Sequence, residues 1–132
     1  MKEITYNSEG DVKKQVKKIL DAHNFFWWMP PANGYGVSGV SDFVAIRKGV
    51  VLAIETKFKK NKPTQPQKLF LESIMAEDGY GFVVNEKNIE TFREFLLAFD
   101  RAALAYATKQ KETPEDGAIM LNAIKELTEM LV

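Results

Sequence analysis

Three charged residues in two short segments could carry out hydrolytic chemistry. Asp42 precedes an apolar stretch that begins at Phe43, and Glu55 and Lys57 follow another that begins at Val50. Side chains two residues apart on a strand point to the same face, so Glu55 and Lys57 would project together, about 7 Å apart. If the two stretches form a hairpin, Asp42 comes within a few residues of Glu55. Two carboxylates and an amine would then meet at one end of an otherwise apolar sheet.

The two carboxylates indicate a site for a divalent cation. Burying them is costly unless a cation compensates, and Lys57 offsets only one charge. The chain has no cysteine and one histidine, so oxygen ligands favour magnesium or manganese over zinc. Such an ion orients a water, lowers its pKa and neutralises charge on a phosphoryl oxygen. We therefore expect phosphodiester hydrolysis; the alternative is a partly exposed salt bridge worth about 0–1 kcal/mol.

The hydrophobic pattern predicts a mixed sheet flanked by helices, which is an α/β fold. Ser8 is the expected N-cap of a first amphipathic helix. Strands are expected at residues 25–29, 41–46, 50–57 and 80–84, and the turn at residues 47–49 would join the second and third in a hairpin. Further helices are predicted after Thr64, Asn88 and Thr113. This order of elements would bring Asp42 and Glu55 to neighbouring strands.

The apolar faces of the later helices need partners. In the helix after Thr64, the expected inward face consists of Leu69, Phe70, Ser73 and Ile74. Residues 86–132 carry more apolar side chains than a small core needs: Phe92, Phe95, Leu96, Phe99, Leu121, Ile124 and Leu131. We therefore divide the chain into a core at residues 1–85 and a C-terminal helical extension at residues 86–132. The extension either forms a homodimer interface or completes the core of the same chain.

Charge is distributed unevenly, although the formal net charge is zero. Residues 43–68 carry +6 and residues 69–132 carry −6, which indicates that one part of the surface faces a polyanion. The glycine-rich loop at residues 32–39, with Tyr35 and Ser38, either only provides backbone turns before Asp42 or also forms a flexible wall that contacts DNA. The alternative for the basic stretch is a solvated lysine-rich loop. The basic residues expected to bind phosphates are Lys59, Lys60, Lys62 and Lys68.

Four consecutive aromatic residues, Phe25, Phe26, Trp27 and Trp28, could serve as stacking platforms for nucleobases. Alternation along a strand predicts that one pair lies on each face of the sheet. We therefore expect at least half of these rings to belong to the core.

Four short motifs follow one another along the chain. They are Gly39-Val40-Ser41-Asp42-Phe43, Gly49, Ala53-Ile54-Glu55-Thr56-Lys57 and Pro63-Thr64-x-x-Gln67. Their order and spacing over residues 8–84 resemble the virus-type replication-repair nuclease (VRR-NUC) family of the PD-(D/E)XK nuclease superfamily. Residues 29–36 also look like those of small stand-alone members encoded by phages. The commonest form of the family has proline where this chain has Ser41, a position that supplies backbone geometry and no chemistry.

The resemblance implies roles for the residues around the two strands. Asp42 and Glu55 match the metal-binding carboxylates, and Lys57 matches the catalytic lysine. The carbonyl of Thr56 would be a backbone metal ligand. These four residues would form the catalytic and metal-binding centre.

Two helix-start residues would complete the site by the same resemblance. Gln67 matches a glutamine that opens the helix after the catalytic strand and faces the site, although it could serve only in a capping box. Glu9 matches an acidic residue that reaches the metal directly or through water. Its alternative is a favourable charge at a helix N-terminus, worth about 0.3–1 kcal/mol.

Together these features predict a restriction-endonuclease-like fold and a Mg²⁺-dependent DNA endonuclease, with Mn²⁺ able to substitute and no small-molecule cofactor. Branched DNA, such as a Holliday-junction-like substrate in DNA repair, is the expected target. The alternatives are a non-catalytic DNA-binding or assembly module on the same fold, and a ribonuclease. No apolar run reaches the roughly 18 residues that cross a membrane. We therefore expect a cytoplasmic protein, in the host cytoplasm if it is phage-encoded, whose partners are DNA and a second copy of itself.

Overall fold

Helices flank a four-stranded sheet in the computed structural model, which describes residues 3–31, 38–108 and 114–132. In chain order the elements are α1 (Glu9–Ala22), β1 (Phe26–Trp28), β2 (Phe43–Arg47), β3 (Val50–Thr56), α2 (Gln65–Ala76), β4 (Tyr80–Val84), α3 (Ile89–Ala107), α4 (Pro114–Leu127) and a short 3₁₀ helix (Glu129–Leu131). The predicted α/β class is confirmed, and the strand ends differ from the predicted ones by at most two residues. None of the described helices is long and apolar enough to cross a membrane.

The strands form one mixed sheet in the order β1-β2-β3-β4. The first three strands are antiparallel to one another, and β4 runs parallel to β3 after the crossover through α2. A two-residue turn joins β2 to β3, in which Lys48 and Gly49 have φ values of 53° and 79°. Positive φ at both positions matches the right-handed twist of the strands. Because Phe43 pairs with Ile54, the residues just beyond this pair, Asp42 and Glu55, lie at the same end of the sheet.

The two faces of the sheet are covered differently. On the first, which we call the core face, Phe43, Leu52, Ile54 and Phe82 pack with α1, α3 and α4 in one hydrophobic cluster. On the second, the α2 face, Ala53 and Val83 pack against Leu71 of α2 in a smaller cluster. Glu55 follows Ala53 by two residues and therefore belongs to the α2 face.

The C-terminal helices bury most of their apolar residues within the same chain. Phe92, Phe95, Leu96 and Phe99 of α3 and Leu127 of α4 join the cluster on the core face. The large apolar side chains that remain exposed on these helices are Leu97, Leu104, Tyr106 and Leu121. The apolar excess that suggested a homodimer is thus largely used inside one chain, and the homodimer stays a prediction.

The inward face of α2 differs from the predicted one. Leu71 is the fully buried residue of the helix, whereas Leu69 is 52% exposed and Ser73 is also exposed. Gln67, Leu71 and Ile74 follow one another at helical spacing toward the sheet. This rotation is possible because β4 has Gly81 where α2 crosses it: a Cβ there would lie 2.7 Å from the carbonyl oxygen of Leu71. The prediction that Leu69 and Ser73 face inward is therefore wrong.

Candidate functional site

Asp42 lies immediately before β2, and its carboxylate is held by Thr56 at the end of β3. Oδ2 of Asp42 accepts hydrogen bonds from the backbone N–H of Thr56 at 2.9 Å and from its hydroxyl at 2.6 Å. Ser41 is buried, and its hydroxyl donates to the carbonyl of Phe43 at 2.8 Å. The bend before β2 is thereby fixed, as is one oxygen of Asp42. The second oxygen, Oδ1, lies 3.8 Å from Nζ of Lys13.

Glu55 is a buried carboxylate with incomplete hydrogen bonding. Glu55 is 2% exposed, and its Oε2 has no hydrogen-bond partner in the described part of the chain. Oε1 accepts a hydrogen bond from Nε2 of Gln67 at 3.3 Å and lies 3.6 Å from Nζ of Lys57. Buried polar atoms are normally paired, so an unpaired carboxylate oxygen indicates a group suited to binding a proton or a cation.

The pKa of Glu55 reflects this position. Burial, and next the negative charge of Asp42, raise the pKa from its ordinary value of 4.5 to about 8, although Lys57 acts in the opposite direction. The carboxylate of Asp42, which accepts a hydrogen bond from Glu55 when Glu55 is protonated, and the charge of Glu9 raise the pKa further. The carboxylate of Asp42 is therefore close enough to disfavour the ionised form of Glu55.

Gln67 serves both the helix and the site. Its Oε1 accepts from the backbone N–H of Thr64 at 2.9 Å, and the hydroxyl of Thr64 accepts from the N–H of Gln67 at 3.3 Å, which completes a capping box. The other end of the same amide donates to Glu55. Gly39 packs closely against the start of α2. Its φ is 72°, and a Cβ at this position would lie 2.3 Å from the backbone of Pro66, so only glycine fits here. The two roles considered for Gln67 are therefore geometrically compatible.

Lys13 of α1 is a charged group of the site that the sequence analysis did not select. Its Nζ lies 3.1 Å from Oε2 of Glu9 and 3.8 Å from Oδ1 of Asp42. Burial acts to lower the pKa of Lys13, but the hydrogen bond to Glu9 and the charges of Asp42 and Glu55 raise it above 10.5. Lys13 therefore remains protonated and compensates carboxylates at this end of the sheet. The i, i+4 spacing from Glu9 is the only sequence signal for it.

The oxygen donors of the site fit a hard divalent cation. Asp42 and Glu55 supply two neighbouring carboxylates, one with an unpaired buried oxygen, and Thr56 is the last residue of β3. Across residues 3–31, 38–108 and 114–132, no three or more His, Cys, Asp or Glu side chains are grouped so that they could hold a metal ion. Glu9 is paired with Lys13 beside the two carboxylates. The metal and the part of Glu9 in binding it stay predictions.

The residues expected to bind DNA lie in different places. Lys59 and Lys60 line a pocket of about 480 Å³. Lys87, which the sequence did not indicate as a site residue, lines the same pocket. The two carboxylate oxygens of Glu86 accept hydrogen bonds from the backbone N–H of Lys59, at 2.9 Å and 3.0 Å. The other residues expected at a DNA interface are Lys62, which is exposed, Lys68, which is half-buried, Ser38, which lines a groove along α2, and Tyr35, which lies outside the described residues.

Comparisons with known proteins add no family to this picture. The chain matches no protein-family model, and no curated protein matches it at a significant level. The likeness to VRR-NUC nucleases therefore depends on the motif residues alone.

Proposed function

We propose that this chain is a Mg²⁺-dependent DNA endonuclease that acts on branched or otherwise structured DNA. The observation that carries the proposal is the environment of Glu55. Its carboxylate is buried, keeps an oxygen without a partner, and lies beside a second carboxylate and the ammonium of Lys57. Perturbed acids of this kind are concentrated at catalytic sites.

We also propose that the α/β architecture is of the restriction-endonuclease-like type, with VRR-NUC nucleases as its relatives. The order of elements supports this: a helix precedes three antiparallel strands, and a helical crossover leads to a parallel fourth strand. The two acids then belong to the start of β2 and the end of β3, as the motif order requires.

The side chains divide the work of hydrolysis between them. Asp42 and Glu55, with the carbonyl of Thr56, would hold the magnesium ion, which when bound supplies an acidified water and neutralises charge on the phosphate. Lys57 can donate a hydrogen bond to the attacking water or to the oxygen on which negative charge develops. Gln67 orients Glu55 through Oε1.

Phosphate binding is assigned to the basic residues beyond β3. Lys59, Lys60 and Lys87 surround one pocket, and within the described ranges Lys60, Lys62 and Lys68 form no ion pair. Their ammonium groups are therefore available to phosphates, and binding through them should weaken with salt. Magnesium and these lysines would together offset the charge of the DNA backbone.

Cleavage by matched variants tests the proposal. Purified protein is incubated with linear, flapped and four-way DNA in the presence of Mg²⁺ or Mn²⁺. Asp42→Asn and Lys57→Met should each lower the cleavage rate by about 10³-fold or more, because each removes a group from the reacting centre. Glu129→Gln and Lys125→Met, at exposed positions on the C-terminal segment, are the controls. Equal cleavage by Asp42→Asn, Lys57→Met and the unmodified chain would reject the site.

Calorimetry separates this function from a non-catalytic module. A nuclease site should bind Mg²⁺ or Mn²⁺ saturably, and Asp42→Asn should abolish the binding. DNA binding without saturable uptake of either metal would instead support the DNA-binding or assembly module on the same fold.

A further inference from the structure

Two aromatic rings on β1 project away from the core. Phe26 is 70% exposed and Trp28 is 41% exposed, and their ring centroids lie 5.7 Å apart. The alternate residues, Phe25 and Trp27, instead pack with the cluster on the core face. The four aromatic residues thus divide into a pair that packs with the core and a pair that is exposed to solvent.

The outward rings share the α2 face with the candidate site. Phe26 pairs with Ile46, and Trp28 pairs with Val44; both partners are half-buried. Helix α2 packs mainly on β3 and β4, and the exposure of both rings shows that it leaves this part of β1 open. An open patch, formed by Phe26, Trp28, Val44 and Ile46, therefore remains beside α2.

The open patch is continuous with the carboxylates. Val44 follows Asp42 by two residues and pairs with Ala53, which precedes Glu55 by two residues. Trp28, Val44 and Ala53 therefore lie side by side across the sheet. This row is two residues along the strands from Asp42 and Glu55. Strand geometry puts Trp28 roughly 8 Å from Asp42 between Cα atoms. The rings and the acids are therefore close enough to contact the same short stretch of one DNA strand.

We propose that Phe26 and Trp28 stack unpaired nucleobases of a DNA strand whose backbone passes the Asp42–Glu55 site. This inference rests on the proposed nuclease function and specifies its substrate. Aromatic rings spaced two residues apart on an open sheet are suited to stacking successive bases, and each stacked base contributes about 1–3 kcal/mol. In a duplex the faces of the bases are already stacked on one another. The site therefore takes DNA with a single-stranded segment beside the bond that is cut.

The exposed area favours a nucleic acid over a second copy of the chain. At their exposures, the two rings offer on the order of 200–250 Å² of aromatic surface. A stable protein interface buries about 800 Å² on each partner. The patch also contains no charged residue of its own, so phosphates that flank the stacked bases meet no carboxylate on it. Two bases fit this area, and a dimer interface does not.

Binding measured without metal tests the stacking directly, because no cleavage can then occur. The probes are a short single-stranded oligothymidylate and an abasic oligonucleotide of the same length, which keeps the phosphates and lacks the bases. Phe26→Leu and Trp28→Leu should each weaken oligothymidylate binding about 10-fold and leave binding of the abasic probe unchanged. Tyr106→Leu, which removes an 85% exposed ring from α3, is the matched control and should change neither.

Other outcomes would overturn the proposal. Equal loss for both probes would mean that the rings do not stack bases. A change in sedimentation behaviour in the Trp28→Leu variant, with unchanged oligothymidylate binding, would assign the patch to an interface between copies. A failure of the nuclease function looks different: the chain would discriminate between the two probes and yet cleave no DNA with Mg²⁺ or Mn²⁺. If it does cleave, Trp28→Leu should slow the cutting of flapped DNA more than that of linear duplex.

Discussion

The two ends of β2 carry ionic clusters that are built in opposite ways. At the far end from the candidate site, Arg47 donates to one carboxylate oxygen of Asp100, and the ring of His23 pairs with the other. Arg47 also donates to the backbone carbonyl of His23 at 2.7 Å. Every oxygen of that carboxylate has a partner, and the cluster ties the end of α1 to β2 and α3. At the near end, Oε2 of Glu55, next to Asp42, has no hydrogen-bond partner among the residues that the structure describes.

The difference separates a structural cluster from a candidate functional one. Both clusters place ionic groups in partly or wholly buried positions, where unpaired charge is costly. In the Asp100 cluster each carboxylate oxygen has a partner, and the residues come from the end of α1, from β2 and from α3. In the Glu55 cluster one oxygen has no partner among the described residues, and the imbalance is of the kind that a bound cation would correct. The pairing of charges, rather than their burial alone, therefore distinguishes the two ends.

The largest expected effect concerns the pH dependence of stability without metal. The pKa of Glu55 is about 8 in the folded chain, against an ordinary value of 4.5. Between pH 4.5 and 8, Glu55 is therefore protonated in the folded chain and ionised in the unfolded chain. Stability should therefore fall as pH rises from about 5 to 8, by up to roughly 4 kcal/mol from this group. Glu55→Gln should remove the fall and be the more stable protein at pH 8. Urea unfolding in EDTA, followed by tryptophan fluorescence, measures both.

The control for this prediction is Glu129→Gln, which neutralises an exposed carboxylate and should keep the pH dependence of the unmodified chain. Added Mg²⁺ should stabilise the unmodified chain at pH 8 and leave Glu55→Gln unchanged, because a ligand stabilises only the state that binds it. If Glu55→Gln is less stable than the unmodified chain at pH 8 in EDTA, Glu55 belongs with the structural cluster.

A smaller effect of opposite sign is expected at the other end of β2. Asp100→Asn removes the charge that partners Arg47 and should lower the free energy of unfolding by about 2 kcal/mol. If the proposed nuclease function holds, cleavage per folded molecule should stay within about two-fold of that of the unmodified chain, since the described contacts of this cluster include no residue of the site. Thermal unfolding and cleavage assays on the same preparation test both statements, with Glu77→Gln as an exposed control. Loss of cleavage without loss of stability would contradict the division between the two ends.

The meeting of Asp42, Glu55 and Lys57 could be predicted from the sequence because local rules determine it. Alternation puts Glu55 and Lys57 on one face, and the two-residue turn at Lys48 and Gly49 fixes the register that brings Asp42 alongside. The capping box at Thr64 likewise marks the start of α2. Each of these features depends on residues that are close together in the chain.

Features that depend on how elements dock were not predicted. The apolar residues of α2 allow two neighbouring faces, and the choice of Leu71 over Leu69 depends on Gly81 and on the contact between Gln67 and Glu55. Strand alternation puts the side chain of Thr56 on the reverse of the sheet from Glu55. It reaches Asp42 because that carboxylate lies just outside the strand, where pleat alternation no longer constrains it.

Lys13 is the clearest example of a missed residue and leads to the smallest of the expected effects. On the helical pattern of α1 it belongs beside the apolar face, and only the docking of α1 at the end of the sheet brings its ammonium within 3.8 Å of Asp42. There it repels any cation that approaches the carboxylates. Lys13→Met should therefore raise the affinity for Mg²⁺ about 3- to 10-fold in calorimetry, and the gain should shrink at high salt. Lys14→Met, which removes an exposed lysine from the next position, should change nothing. Weaker metal binding in Lys13→Met would show instead that the ammonium holds Asp42 in place, and Lys13 would then resemble Arg47 at the other end of β2.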